Sequence, residues 1–130
     1  MAYNFNDGGR QAAGYKGKAG DCGARALAIA LQIDYKAAYK QLAQANADHG
    51  CAKSARNGIS KQIYSQVLAQ HGWRWVQAPK FIGRKARYFD LPITGRYIVQ
   101  MAGHYTAVVD GVLNDSWDSR NKMVYGYWAK

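Results

Sequence analysis

The sequence predicts an α+β fold in one domain, residues 1–130, with N-terminal helices packed on a C-terminal antiparallel sheet. The first half contains three segments in which apolar residues recur at helical spacing. The second half contains runs rich in β-branched and aromatic residues, which is typical of strands. An Asp-Gly pair at residues 110–111 separates two of these runs and predicts a β-hairpin with a two-residue loop.

The composition excludes several classes of protein. No apolar run is long enough to cross a membrane, and the first residues lack the basic and apolar regions of an export signal. The two cysteines, Cys22 and Cys51, are too few for a disulfide framework, so we expect a cytoplasmic protein. The formal net charge is +10, and all eight acidic residues are aspartates. This balance favours a polyanion or a partner with an acidic face.

The N-terminal part of the chain combines an irregular arm with a buried helix. Residues 1–19 are rich in Gly, Asn and Lys and show no periodicity, so they predict an arm with a turn at residues 6–9. Asp21 is predicted to be the N-cap of a first helix that extends to Leu31. Arg25 is the only polar residue from position 23 to the end of this helix, which is typical of a helix inside a core.

Two further helices and about four or five strands complete the prediction. A second helix follows Asp34, and a third begins after Ser60 as its N-cap and ends at Gly72. The expected strands are residues 73–76, 97–101, 104–109, 112–117 and 123–128.

Cys22 lies in the first turn of the predicted buried helix. The unpaired N–H groups and the macrodipole at that end favour an anion, and therefore the nucleophilic thiolate form of a cysteine. The alternative is a structural cysteine that packs as a small hydrophobic residue, which is common for this residue type. The helix alone does not decide between them.

The hairpin places a histidine close to a carboxylate. With residues 110–111 as the loop, His104 and Asp115 share one face of the sheet and lie diagonally opposite each other. A bulge near Asn114 would instead bring Asp118 to that face. A histidine oriented by a carboxylate can take a proton from a nucleophile. The alternative is a half-buried histidine beside a strand-end carboxylate, but Cys22, His104 and Asp115 together predict a thiol-enzyme site.

This arrangement resembles the papain-like cysteine peptidase superfamily, and it is most similar to the bacteriocin-processing peptidase domains attached to ABC transporters. The resemblance rests on the Asp-Cys-Gly at residues 21–23, the His-Tyr at residues 104–105 and an Asp at the end of the next strand. It implies a papain-like fold, with Cys22 as nucleophile, His104 as general base and later acid, and Asp115 as the orienting carboxylate. It also implies hydrolysis of a peptide or isopeptide bond, with a protein or peptide as substrate.

The sequence departs from this family at the oxyanion site. A glutamine about six positions before the cysteine is usual in papain-like peptidases, whereas this chain has Lys16 there. Gln11 is the nearest glutamine, and the glycine-rich arm can bring it close; otherwise the Cys22 N–H would act with Lys16 or Lys18. An inactive relative is therefore an alternative. The chain is also similar to small bacterial and phage proteins, a resemblance that implies no activity.

Other candidates are weaker. His49 and Cys51 could be two ligands of a zinc site, but no second pair lies nearby, and we expect no metal and no cofactor. A basic, aromatic segment at residues 80–88 is an alternative nucleic-acid-binding or acidic-partner surface, although a solvated loop explains it equally well. Its cations are Lys80, Arg84, Lys85 and Arg87.

Overall fold

A computed structural model describes residues 2–15, 20–56, 58–92 and 94–130, which form three α-helices and six strands. The helices are α1 (Cys22–Leu31), α2 (Tyr35–Asp48) and α3 (Lys61–Gln70). The strands are β1 (Ala2–Phe5), β2 (Arg74–Gln77), β3 (Arg96–Met101), β4 (His104–Val109), β5 (Val112–Asp115) and β6 (Val124–Ala129). A short 3₁₀ helix covers Tyr88–Asp90. The α+β class is confirmed.

The sheet is mixed, with the strand order β1-β5-β4-β3-β6-β2. All neighbouring strands are antiparallel except β1 and β5, which pair in parallel from Ala2↔Val112 to Phe5↔Asp115. The predicted irregular arm is therefore wrong at residues 2–5, and the sheet is neither purely antiparallel nor limited to five strands. The cause is that β1 is short and mostly exposed, so its sequence carries no apolar alternation.

The β4–β5 hairpin forms as predicted. Asp110 and Gly111 have φ angles of 50° and 78°, the left-handed values that a tight hairpin turn of this kind requires. The register pairs Val109 with Val112 and Ala107 with Asn114. No bulge interrupts the described ladder before β5 ends at Asp115, so the face assignment of the sequence analysis is confirmed.

One face of the sheet carries the helices. Helix α1 packs on it against β3 and β4, in a core cluster that contains Ile98 and Ala107, and Leu27 of that helix is completely buried. Helices α2 and α3 extend this layer. No helix among the described residues is both long and apolar enough to span a bilayer.

The opposite face of the sheet is covered by the segment between β2 and β3. Ala78, Ala86, Tyr88 and Leu91 pack there against strand residues that include Val99. This segment contains the basic residues singled out above, and its apolar side anchors it to the sheet. The sheet is thus buried on both faces, and the candidate site lies at one end of it, where α1 and β4 begin.

The predicted helix caps differ in outcome. Ser60 accepts a hydrogen bond from the Ile63 N–H at 3.3 Å, so this N-cap is confirmed. Asp34 has the extended backbone of an N-cap, but its side chain forms no capping bond within the described parts of the chain. Asp21 has φ −97° and ψ 25°, outside the extended region that lets a side chain fold back onto its helix.

Candidate functional site

Cys22 is the first residue of α1 and is half-buried. The next residue has to be small, because a Cβ on Gly23 would lie 3.3 Å from Tyr64, whose hydroxyl donates a 2.8 Å hydrogen bond to the Gly23 carbonyl. Tyr64 in turn stacks on Tyr105, with ring centroids 4.5 Å apart. Two packed aromatic rings therefore fix the start of the helix and the position of the thiol.

The Cys22 thiol lies against the beginning of β4. Burial raises its pKa, but hydrogen bonds from the His104 ring and the Tyr105 backbone N–H lower it, helped by the positive charges of His104 and Arg25. The hydrogen bonds and positive charges together outweigh the effect of burial, so the pKa of Cys22 lies below its ordinary value. This environment favours a thiolate near neutral pH.

His104 joins the thiol to a carboxylate. Its Nε2 atom lies 2.6 Å from Oδ2 of Asp115, which leaves Nδ1 for the hydrogen bond to Cys22. Burial lowers the pKa of His104, but the hydrogen bonds and charges of Asp115 and Cys22 raise it to about 9. The ring is therefore an imidazolium at neutral pH, held between the Asp115 carboxylate and the Cys22 thiol.

Asp115 is 4 % exposed and is held by several donors. Its carboxylate accepts from the Ser119 hydroxyl at 3.0 Å and from the Ser116 N–H at 2.7 Å. Burial raises the pKa of Asp115, but the hydrogen bonds, chiefly from His104, keep it below its usual range. The reserve candidate Asp118 is exposed and pairs instead with Arg120 at 2.8 Å.

The N-terminal segment holds the backbone of this aspartate. The carbonyl oxygen of Asp115 accepts from the Asn6 N–H at 2.8 Å and from the Tyr3 hydroxyl at 3.2 Å. Asp115 is the last residue of β5, beyond the β4–β5 ladder, so these bonds to β1 and the residue after it fix the strand end. The site therefore depends on a segment that the sequence analysis left irregular.

Asp21 occupies the N-cap position of α1 as predicted, but its side chain forms no capping bond, so the predicted role of its carboxylate was wrong. This buried carboxylate accepts from Nη1 of Arg25 at 2.6 Å and from the Tyr35 hydroxyl, and it forms an ion pair with Nε of Arg10 at 3.0 Å. These partners occupy the oxygens that would otherwise face the backbone. Asp21 anchors the N-terminal segment to the residue before Cys22.

A cleft of about 500 Å³ opens over Cys22 and His104. Arg25 lies in it, and Ile59, Met101 and the half-exposed Trp117 form apolar parts of its walls. The Trp117 ring also covers His104, with centroids 4.8 Å apart. The thiol therefore faces a cleft large enough for a short stretch of peptide.

The structure does not bring the expected glutamine to this cleft. Gln11 is exposed, and its backbone N–H donates a hydrogen bond to the Asp7 carboxylate. It is not among the described residues that line the cleft. Lys16, the other expected donor, lies outside the described residues, as does Lys18. A different glutamine, Gln100 of β3, lines the cleft instead.

The basic segment on the far side of the sheet is partly neutralised. Both terminal nitrogens of Arg84 bond to the Asp90 carboxylate at 2.8 Å, and the guanidinium covers the Phe81 ring at 3.9 Å from its centroid. Lys80 and Lys85 are exposed and Arg87 is half-buried.

The other pair of candidate ligands lies in an exposed loop. His49 Nδ1 bonds to the Ala45 carbonyl at 2.8 Å, and Cys51 is exposed. Within the described ranges, no three His, Cys or acidic residues are grouped so as to hold a metal ion.

Three contributors to the site were not identified from the sequence. Arg25 could have been found, since it is the one charged residue of an otherwise apolar helix. Ser119 carried no signal, because its position depends on how the chain turns after β5. The backbone N–H of Tyr105 carried none either, since every residue except proline has one.

Comparison with known proteins finds no match: no protein-family model, no curated protein and no solved structure is similar to the chain.

Proposed function

We propose that the protein is a papain-like thiol hydrolase that cleaves a peptide or isopeptide bond with Cys22, His104 and Asp115. The observation that carries the proposal is the placement of His104, which contacts the buried Asp115 carboxylate at 2.6 Å and lowers the pKa of the half-buried Cys22 thiol through a hydrogen bond and its positive charge. A cysteine that only fills space in the core does not need a histidine and a buried carboxylate beside its thiol. The resemblance of residues 21–23 and 104–105 to the bacteriocin-processing peptidases supports the same function.

In the proposed reaction the Cys22 thiolate attacks the scissile carbonyl carbon, and a tetrahedral intermediate forms. Its oxyanion would be stabilised by the backbone N–H of Cys22, one of the unpaired donors at the start of α1, and by the Gln100 side-chain amide in the cleft. The His104 imidazolium then gives its proton to the leaving amine, and the C–N bond breaks. A thioester remains on Cys22.

Water completes the cycle. His104, now neutral, takes a proton from the water molecule as it attacks the thioester, and the collapse of the second intermediate releases the acid and returns the thiolate–imidazolium pair. Asp115 stays ionised throughout and keeps the ring in the orientation that both proton transfers need. Trp117 covers the ring and keeps the Nε2–carboxylate bond away from bulk water.

The alternative, an inactive relative that binds nucleic acid or another polyanion, has weaker support. Arg84 is paired with Asp90 and occupies the Phe81 ring face, so that ring is not available to stack on a base. The cation–carboxylate pairing also reduces the charge that could contact phosphates. We therefore propose no second function for this segment.

The test of the enzyme is the reactivity of its two thiols. At about pH 6.5, iodoacetamide should alkylate Cys22 at least about tenfold faster than Cys51, because only a stabilised thiolate persists at that pH. Mass spectrometry of the labelled peptides gives both rates in one sample. Equal, slow labelling of the two cysteines in the folded protein would contradict the proposal.

Turnover should have a bell-shaped pH dependence. The value of kcat/KM for a cleaved peptide should rise as the Cys22 thiolate forms and fall as His104 loses its proton near its pKa of about 9. Cys22→Ala should abolish turnover while the melting temperature stays close to that of the parent protein. Residual turnover by this variant equal to the parent's would exclude Cys22 as the nucleophile.

A further inference from the structure

Two cationic side chains, those of Arg25 and His104, line the cleft over Cys22, whereas no aspartate does so among the described residues. The carboxylates that pair with these cations, Asp21 and Asp115, are only 1 % and 4 % exposed. The described lining therefore offers a ligand two cations and no carboxylate.

The charge of Arg25 is only partly compensated. Its Nη1 atom bonds to Asp21, but that carboxylate also holds Arg10 and Tyr35. Its Nη2 atom lies 4.0 Å from Asp115, at the limit of an ion pair, and its buried Nε has no hydrogen-bond partner within the described part of the chain. Arg25 therefore shares the Asp21 carboxylate with Arg10 and the Asp115 carboxylate with His104, and neither carboxylate pairs with it alone.

A second cation lies at the rim. The Lys122 ammonium donates to the Ala102 carbonyl at 2.7 Å and lies 6.0 Å from the centre of the Trp117 ring. Ala102 stands between Met101 and Gly103, which line the cleft. Lys122 forms no ion pair with any carboxylate in the described ranges, so its charge beside the cleft is not neutralised by one of them.

We propose that the cleft selects acidic peptides, with an Asp or Glu side chain beside the scissile bond, and that Arg25 and Lys122 are the residues that determine this specificity. This inference rests on the proposed function for its cleavage step. The substrate carboxylate is attracted between the two cations, while Trp117 and Met101 contact the apolar parts of the peptide. The absence of carboxylates from the described lining also means that a basic peptide gains no ion pair there.

Electrostatic selection can be measured at the thiol itself, without a known substrate. Iodoacetate and iodoacetamide transfer similar groups to a thiolate, but the first is an anion and the second is neutral. Since both need the thiolate, the ratio of their rates cancels any change in the pKa of Cys22. In a Cys51→Ser background, we expect this ratio to exceed that of the denatured protein by about tenfold at low ionic strength and to fall as salt is added.

Variants locate the source of the selection. Lys122→Gln should lower the rate ratio about twofold to threefold, and Arg25→Gln should lower it further, because the charge of its guanidinium acts directly on the Cys22 thiol. Lys40→Gln, on the exposed side of α2, removes the same charge elsewhere and should leave the ratio unchanged. A ratio equal to that of the denatured protein, or equal losses in Lys122→Gln and Lys40→Gln, would overturn the inference.

Peptide cleavage tests the specificity directly. Internally quenched peptide libraries that differ only in Asp or Asn at the two positions beside the scissile bond should show at least about tenfold higher kcat/KM with Asp, mostly through KM. Lys122→Gln should reduce this preference. Equal cleavage of both libraries would overturn the inference and leave the hydrolase intact. If alkylation is selective for the anion but neither library is cleaved, the proposed hydrolase function would be overturned, whereas the selectivity of the cleft for anions would stand.

Discussion

Two segments of the chain contact Asp115, one close to it in sequence and the other far from it. The β4–β5 hairpin joins it to His104 across a two-residue loop, and the whole contact is set within residues 104–115. The N-terminal segment reaches the same residue from the other end of the chain, through Asn6 and Tyr3. The first contact follows from local turn chemistry, whereas the second exists only when the fold is complete.

The difference teaches where a sequence is informative about a site. In the hairpin, Asp110 and Gly111 fix the loop, and the alternation of strand side chains then fixes which residues share a face. In the N-terminal segment nothing local indicates a strand, since β1 gains its stability from hydrogen bonds to β5. The following variants compare the two segments, beginning with the largest expected effect.

Asp115→Ala should have the largest effect, because it removes the carboxylate that holds the imidazole. We expect turnover to fall by about 10³–10⁴-fold, as for the loss of an orienting carboxylate elsewhere, and the pKa of His104 to fall below about 9. Asp118→Ala is the matched control on an exposed aspartate and should change turnover less than about twofold. Kinetics together with an NMR titration of His104 measure both effects. The reverse ranking would mean that the hairpin does not orient the ring.

Arg10→Gln tests the N-terminal segment. It removes the cation that forms an ion pair with the buried Asp21 carboxylate, so we expect a loss of about 1–2 kcal/mol in the free energy of unfolding and slower alkylation of Cys22. Arg74→Gln, on the exposed edge strand β2, is the control and should be close to neutral. Urea denaturation followed by tryptophan fluorescence gives the energies. Equal free energies of unfolding for the two variants would mean that the Arg10–Asp21 ion pair does not stabilise the N-terminal segment against the site.

Gly111→Ala should have the smallest effect. The φ angle of 78° at this turn position is unfavourable for a residue with a Cβ, and the cost is about 1 kcal/mol in the free energy of unfolding. Asp110→Asn is the control, since Asn tolerates φ of 50° and keeps the oxygen that accepts from the Gly95 N–H. Thermal denaturation of both variants measures the difference. A stable Gly111→Ala variant would mean that the strands, and not the turn, set the register.

Much of the helical layer and of the central strands could be predicted from the sequence. The buried helix from Cys22 to Leu31 follows from its apolar composition, the cap at Ser60 from its hydroxyl, and β2 from the alternation around Trp75. The pairing of His104 with Asp115 follows from counting along two strands. These features depend on residues close together in sequence.

The features that the sequence did not predict depend on competition between distant partners. Asp21 suits a side-chain N-cap by residue type, but its carboxylate instead accepts hydrogen bonds from Arg25 and Tyr35 and forms an ion pair with Arg10. Gln11 was the nearest glutamine in sequence, whereas Gln100 is the one that lines the cleft. Only the assembled sheet brings β3 to the start of α1.

The parallel pairing of β1 with β5 has a consequence for the order of events in synthesis. Ala2–Phe5 leaves the ribosome well before its partner Val112–Asp115, so this end of the sheet cannot close until that partner has emerged. A contact of such long sequence separation also forms late in folding, since the loop that it closes is entropically costly. The backbone of Asp115, whose carboxylate bonds to His104, is therefore fixed only after Val112–Asp115 has emerged and paired with Ala2–Phe5.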